Sequence, residues 1–437
     1  MLRKRRIIDD FQSRSTVYVQ IRRLWQEWGI KMKRKQWNHR LKSIKHKDNY
    51  LKNITLDYMS TFITNLNMQS SIWVLYLAYC GLNLAQIGLV EGIYHATSII
   101  FEIPSGAVAD LLGRKKSMVL SRICIALSCM IMLFAQNFWY FALGFMVQAL
   151  GNNLNSGSEE ALVYDSMKAA GQEARYMSVC GRLNVIIEVS QGIATVAGGI
   201  LAEFSYFWCY SACLMIAALA LLPVILMVEA PYVEERGRQR SVWEVVAVHF
   251  RTCFEILRSD RRILKLISYY SVIFAAETVL FFYSQQYYYE LGYNKIQISF
   301  ILLVMGGVSC IGAVLSERIY AALGKKTAQT GACVIAAAFL VYGLQNLFVS
   351  IAAFTAAGFF NAVLYPVQSE QLNSLIPSGQ RATLISVNSM FFSIAMILLF
   401  PLAGFLADLW GLTAILVGMG GVLLGGLGVW QYFMKEA

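Results

Sequence analysis

The sequence predicts an all-α integral membrane protein of twelve transmembrane helices, arranged as two six-helix pseudo-repeats. Three observations carry this prediction: the composition, a series of long apolar runs, and short motifs that recur at a nearly constant spacing. Of 437 residues, 57% are hydrophobic and 14% are charged. Soluble domains lie nearer about 45–50% apolar and about 25% charged.

A helix of about 20 apolar residues crosses ~30 Å of hydrocarbon. Runs of this kind fall at 54–80, 85–110, 115–136, 138–167, 176–202 and 205–228. Six more fall at 263–290, 296–322, 327–346, 348–375, 382–408 and 411–434. The intervening loops are short except for 229–262. There Trp243, Val246, Phe250, Phe254 and Leu257 recur at helical spacing, which predicts an amphipathic helix on the membrane surface. The chain thus divides into a basic tail (1–53), a six-helix bundle (54–228), a linker (229–262) and a second bundle (263–437).

The formal net charge of +11 is concentrated in the tail, where residues 1–52 hold sixteen Lys/Arg against four Asp/Glu. Such a tail can mark nucleic-acid binding. Here a membrane span follows at once, which points to lipid headgroups or topology signalling and to no nucleic acid. The first long apolar run begins near residue 54, too deep for a cleavable signal peptide, and is expected to act as a signal anchor. Met32 offers a second translation start, at "MKRKQWNH".

Orientation follows from the Lys/Arg bias of the loops. Arg114, Lys115, Lys116, Lys168, Arg175, Lys325, Lys326 and Arg381 fall on one side, and only Lys295 on the other. Both termini are therefore expected in the cytoplasm. The halves also echo each other. "GLNLAQIGL" at 81–89 matches "GYNKIQISF" at 292–300, and "LGRKK" at 112–116 matches "LGKKT" at 323–327, both offset by 211. "GGILAE" at 198–203 echoes "AGFLAD" at 403–408. Parallel repeats about an axis normal to the membrane are a transporter architecture, with the solute site between the halves near mid-membrane.

Polar residues mark that site. An acid within a membrane span costs about 2.5–3.5 kcal/mol on insertion scales, so it normally faces a cavity or a partner. Helix 2 carries Glu91, His95, Ser98 and Glu102 at steps of 4, 3 and 4, which keep one helical face. Helix 4 carries Gln148, Asn152, Asn155 and Glu159, and helix 5 carries Asn184, Glu188, Gln191 and Thr195, at comparable steps. Asn65 and Asn67 lie on helix 1, Asn361, Tyr365 and Gln368 on helix 10, and Glu277 on helix 7 among aromatic residues. Such stripes line a shared hydrated pathway or hold the bundle together by interhelical hydrogen bonds. Glu91 lies close to the outer end and is expected to be solvated. Arg122 and Arg182 either snorkel or pair. A carboxylate withdrawn from water can exchange protons near neutral pH, so Glu102, Glu159, Glu188 and Glu277 are the candidates for proton coupling or substrate contact.

The loop "GAVADLLGRKK" at 106–116 carries a further signature, G-x-x-x-D-x-x-G-R-K. On Gly106, Asp110, Gly113, Arg114 and Lys115 the chain resembles the major facilitator superfamily, with Leu111 where the family often has Arg. The resemblance implies the major facilitator fold from about residue 54 onward. It also implies a gating loop, its Asp facing the start of helix 11 and its Arg pairing with nearby carboxylates. The second-half copy keeps Gly324, Lys325 and Lys326 but has Ala321 for the Asp. "SGSEEALVYDS" at 156–166 is similar to bacterial drug/proton antiporters. Two positions depart from them: Phe145 stands three residues before Gln148 where they carry Arg, and Ala194–Thr195 stand where they carry Gly-Pro.

Enzyme readings find no support. "GKKT" at 324–327 has Ile319 in place of the upstream Gly of a phosphate loop. The four His and nine Cys form no metal-ligand spacing, so no metal or cofactor is expected. The sequence thus reads as a monomeric secondary transporter of the bacterial plasma membrane, exporting small amphipathic solutes against protons. Two alternatives stand beside it: a proton symporter importing a polar nutrient, and a transporter-like sensor or scaffold.

Overall fold

The structure is a computed structural model describing residues 34–230, 251, 258, 260–375 and 381–435, with side chains over 48–230, 251, 258, 260–375 and 384–428. The amphipathic helix expected at 243–257 and the alternative start at Met32 lie outside the described residues.

In the first half, α1 (Arg34–Asn65) and α2 (Trp73–Tyr79) form the first span, with a 3-10 turn between them at Met68–Ser71. α3 (Leu84–Leu112) and α4 (Arg114–Phe134) are the second and third. α5 (Phe138–Asn155) and α6 (Ser158–Ala170) share the fourth, α7 (Tyr176–Phe204) is the fifth, and α8 (Tyr206–Leu219) with α9 (Leu221–Leu226) the sixth. The second half holds α10 (Arg261–Glu290), α11 (Lys295–Leu323), α12 (Lys326–Val341), α13 (Leu347–Asn373), α14 (Arg381–Trp410) and α15 (Leu412–Lys435). Among the described residues, 9 segments are long and apolar enough by themselves to cross a membrane. The fold is that of twelve spans in two six-helix halves.

Three differences from the predicted spans have physical causes. α1 begins at Arg34, so the tail from residue 34 onward already belongs to the first helix. The first span breaks after Asn65, in "NLNMQSS", where Asn67 caps the 3-10 turn by accepting from the Gln69 amide. The fourth span breaks at Gly157, whose φ of 73° is left-handed. Irregular backbone within a membrane is tolerated where it lines a cavity or is buried in protein. Glu159 and Glu160 then fall in the first turn of α6, where the helix dipole favours acids.

The pseudo-repeat is visible in the capping. Asn83 with Gln86 opens α3, and Asn294 with Gln297 opens α11, each as a reciprocal capping box. The halves meet where α3 crosses α14 and α7 crosses α11. Both crossings need glycine: a Cβ on Gly404 would collide with the Leu84 carbonyl, and one on Gly199 with Ser299. The same end is filled by rings, with Trp73 edge-on to Phe282 at 5.1 Å and near Phe400 at 6.0 Å. The halves are therefore closed at the face opposite the basic loops.

Candidate functional site: a central cavity joined to an acid–arginine cluster

Between the halves lies a cavity of about 670 Å³. The first half contributes Asn65, Asn152, Glu188 and Gln191, and the second Phe281, Met305 and Gly306. Gln191 Nε2 donates to Asn65 Oδ1 at 3.1 Å, and Asn152 Nδ2 donates to the Tyr94 hydroxyl at 2.8 Å. Glu188 is the charged residue in this lining. Its described partner is the Cys310 thiol of α11, which donates at 3.3 Å.

Beneath Asn65 the cavity meets a pocket of about 160 Å³ that holds Asp57, Thr61 and Glu159, with Asn184 on its wall. Here Arg122 pairs with Glu159, and Asp57 shares the pocket with that acid. The Arg122 guanidinium, 3% exposed, lies 3.4 Å from Glu159 Oε1 and donates to Ser60 Oγ at 3.4 Å. Thr61 Oγ1 donates to the same Glu159 oxygen at 3.4 Å, and Asn155 Nδ2 to the other at 2.5 Å. Asp57 is 1% exposed, and neither of its oxygens has a hydrogen-bond partner among the described residues. Arg122 thus pairs rather than snorkels. The sequence analysis overlooked Asp57, although the i, i+4, i+8 series Asp57, Thr61 and Asn65 was there to be read on the face of helix 1.

A second cavity of about 280 Å³ shares Asn67 and Ser70 with the first. Gln148 and His95 line it. His95 Nδ1 lies 3.2 Å from Ser393 Oγ in the other half, and its Nε2 lies 3.5 Å from Glu91. Glu91, expected to be solvated, is buried and lines this cavity.

The remaining predicted residues are dispersed. Glu102 accepts from Ser386 Oγ at 2.8 Å, across the α3–α14 crossing. Glu277 is 5% exposed within the second half. The helix-10 stripe lines neither central cavity. Gln368 is occupied by a 2.7 Å bond to Asn388, Tyr365 is 68% exposed beside Phe274, and the buried Asn361 Oδ1 has no donor among the described residues. The second half reaches the larger cavity through α10 and α11, and the smaller one through α10 and Phe392 of α14. The only sequence hint for α11 was the pair Gly306–Gly307, which admits the cavity to the helix backbone.

In the loop signature, Gly113 turns the chain with a φ of 97°. Glu229 accepts from the Arg114 and Lys115 amides at 2.8 and 3.1 Å. The Arg114 side chain pairs with Asp165 and donates to the Ala161 carbonyl at 2.9 Å. Asp110 and Gly106 are exposed. The contact expected for the Asp, the start of helix 11, lies partly outside the described residues.

Two pseudo-repeated helical halves around a cavity near mid-membrane are the architecture of a secondary transporter. The Major Facilitator Superfamily profile matches residues 55–342, and the chain belongs to that family. It is 23% identical over 355 residues to the MFS-type transporter YxaM of Bacillus subtilis (strain 168), across 80% of this chain and 87% of that one. The nucleoside transporter NupG superposes with a TM-score of 0.70 at 12% identity, over 88% of this chain and 99% of that one. A bacterial homologue of the lysosomal transporter Spinster, inward-facing and unoccupied, superposes at 0.70 with 15% identity, over 90% and 97%. At these identities the likeness to solved structures shows the fold alone.

Proposed function

We propose that the chain is a proton-coupled transporter that exports amphipathic compounds by alternating access. The observation that carries this reading is that the Asp57–Glu159 pocket shares Asn65 as a wall with the central cavity, with Arg122 paired to Glu159. Two carboxylates and one guanidinium are neutral together only with one proton bound, and buried charge is tolerated only when balanced. A proton arriving at or leaving this cluster changes what the first half can hold in the cavity. Glu188, with Phe281 and Met305 opposite, gives the cavity a carboxylate beside an apolar wall, suited to a neutral or cationic amphipathic solute. Among the other acids, Glu102 bears on the crossing between the halves, and Glu277 is a second candidate for carrying the proton.

The signature loop supports a latch role for Gly106, Asp110, Gly113, Arg114 and Lys115 between the two halves. The Lys/Arg bias supports cytoplasmic termini in a bacterial plasma membrane, and we take the working unit to be the monomer. The closed face is then the external one, and the protein is inward-facing.

The test is reconstitution in liposomes containing a pH-sensitive dye, with lipophilic cations and polar nutrients added in turn under a proton gradient. Proton movement triggered by a compound, and lost in Asp57→Asn or Glu159→Gln, is expected. Solute flux that moves no protons and is unaltered by either variant would overturn the coupling. The amide row Asn65, Asn152 and Gln191 favours a second reading, nutrient symport. Antiport moves protons opposite to the solute and symport moves them with it, so the same assay separates the two.

A further inference from the structure

We infer that the smaller cavity is a recognition site for a methylated ammonium group, held by Glu91 and a surround of aromatic rings. The inference rests on the transport reading above and names the solute's head. Six rings line the cavity with Glu91: Trp73, Tyr94, Phe145, Tyr210, Phe282 and Phe392. All but Tyr210 form a nearly continuous belt with His95. Phe282 meets Trp73 at 5.1 Å, Trp73 meets Phe145 at 5.2 Å, and Phe145 meets Tyr94 at 6.4 Å. Tyr94 continues to His95 at 5.3 Å, and His95 to Phe392 at 5.6 Å. The Tyr94 ring is fixed by its bond from Asn152.

Neither Lys nor Arg lines this cavity, and Glu91 is its one carboxylate. The described cationic partner of Glu91 is the imidazole of His95, which is charged only if protonated. An acid this well buried normally has a partner. A cation among aromatic faces is attracted by their quadrupoles, the more so when desolvated, and cages of rings are the known means of holding quaternary ammonium groups. A primary ammonium brings three N–H donors that each need an acceptor, whereas methyl groups need only apolar contact, which the rings supply.

The dimensions agree. About 280 Å³ is near the lower end of small-molecule pockets, roughly 300–1,000 Å³, and holds a compact head. Asn67 and Ser70 are walls of both cavities, and in the larger one Phe281 and Leu302 offer an apolar wall for a tail. Phe282 and Phe392 come from the second half and the other rings from the first, so an occupant touches both halves.

The experiment is isothermal titration calorimetry on the purified full chain in detergent, with choline as probe. Its neutral isostere 3,3-dimethylbutan-1-ol and its primary analogue ethanolamine are titrated alongside. Choline is expected to bind at least about tenfold more tightly than either. Glu91→Gln and Phe282→Leu, each confirmed folded by size-exclusion chromatography and melting temperature, are each expected to weaken choline by about tenfold, while Phe348→Leu, an exposed ring outside both cavities, leaves it within about twofold. No choline binding overturns the inference, as does equal binding of the isostere. Unchanged affinity in both cage variants, or an equal loss in Phe348→Leu, overturns it too. Because no gradient is present, choline binding without proton movement in liposomes refutes only the coupling. Proton-coupled flux of other solutes without choline binding refutes only the cage.

Discussion

The Asp408 carboxylate reaches across from the end of α14 to the opening of α3, accepting from the backbone amides of Leu84 at 3.0 Å and Ala85 at 2.8 Å. The pseudo-repeat supplies its counterpart. Glu203, at the end of α7, accepts from the Lys295 amide at 2.9 Å, and the Lys295 ammonium lies 3.7 Å from the same oxygen. Each half thus caps a helix of the other at the closed face, one turn beyond the glycine that lets the two helices approach.

An acid on a helix N-terminus is worth about 0.3–1 kcal/mol, up to ~2 when partly buried. Asp408→Asn should therefore raise the open population at this face severalfold, since about 1 kcal/mol is a factor of roughly five. Hydrogen–deuterium exchange of the 84–86 amides reads this directly, and Glu203→Gln should act likewise at 295. Unaltered exchange in both variants would show that the caps contribute nothing to closure.

Gly404→Ala tests the closure sterically. Its Cβ would strike the Leu84 carbonyl oxygen, whereas one on Gly306 would meet nothing within 4 Å. Overpacking of this kind costs about 1–3 kcal/mol, borne only by the closed arrangement. Faster exchange across the start of α3 is expected in Gly404→Ala, and none in Gly306→Ala. The reverse order would refute the close approach.

Removing the cation from the acid cluster should destabilise the first half. Arg122→Gln leaves Asp57 and Glu159 together without a guanidinium, and breaking a buried pair from one side costs about 3–5 kcal/mol. A fall of several degrees in melting temperature is expected in detergent at neutral pH. Acidification that protonates the two carboxylates should recover part of it. A variant as stable as the parent at neutral pH would contradict the pairing.

Glu188 supplies the charge in the lining of the larger cavity, so Glu188→Gln should discriminate among solutes by charge. Transport of a lipophilic cation is expected to fall by about tenfold, corresponding to about 1.4 kcal/mol, with a neutral amphipathic compound little affected. Equal losses for both, measured as initial flux in proteoliposomes, would assign Glu188 a structural role.

Much of the fold was legible in the sequence because a membrane span must be a long apolar helix, and a duplicated gene repeats its caps and turns. "GLNLAQIGL" and "GYNKIQISF" contain the two capping boxes, and "GGILAE" and "AGFLAD" contain the two crossing glycines and the two capping acids. The candidate site was legible only in part. Asn65, Gln148, Asn152, Glu188 and Gln191 do line the cavities, as their stripes suggested. Asn361, Tyr365 and Gln368 formed an equally regular stripe and line neither. A period of 3.6 says which residues share a face, but not whether that face meets the cavity, a neighbouring helix or lipid.

The sequence by itself determined the spans, their two halves and the family, since each follows from local hydrophobicity and from motifs within one loop. Only the tertiary structure decided that Glu159 meets Arg122 in a pocket shared with Asp57, and that Glu91 is buried among rings. It alone showed Asp408 and Glu203 capping helices of the opposite half. These pairings join residues far apart in the chain, and no local pattern encodes them. Burial and charge balance, which make a carboxylate matter in a membrane, are set by what the other helices bring to it.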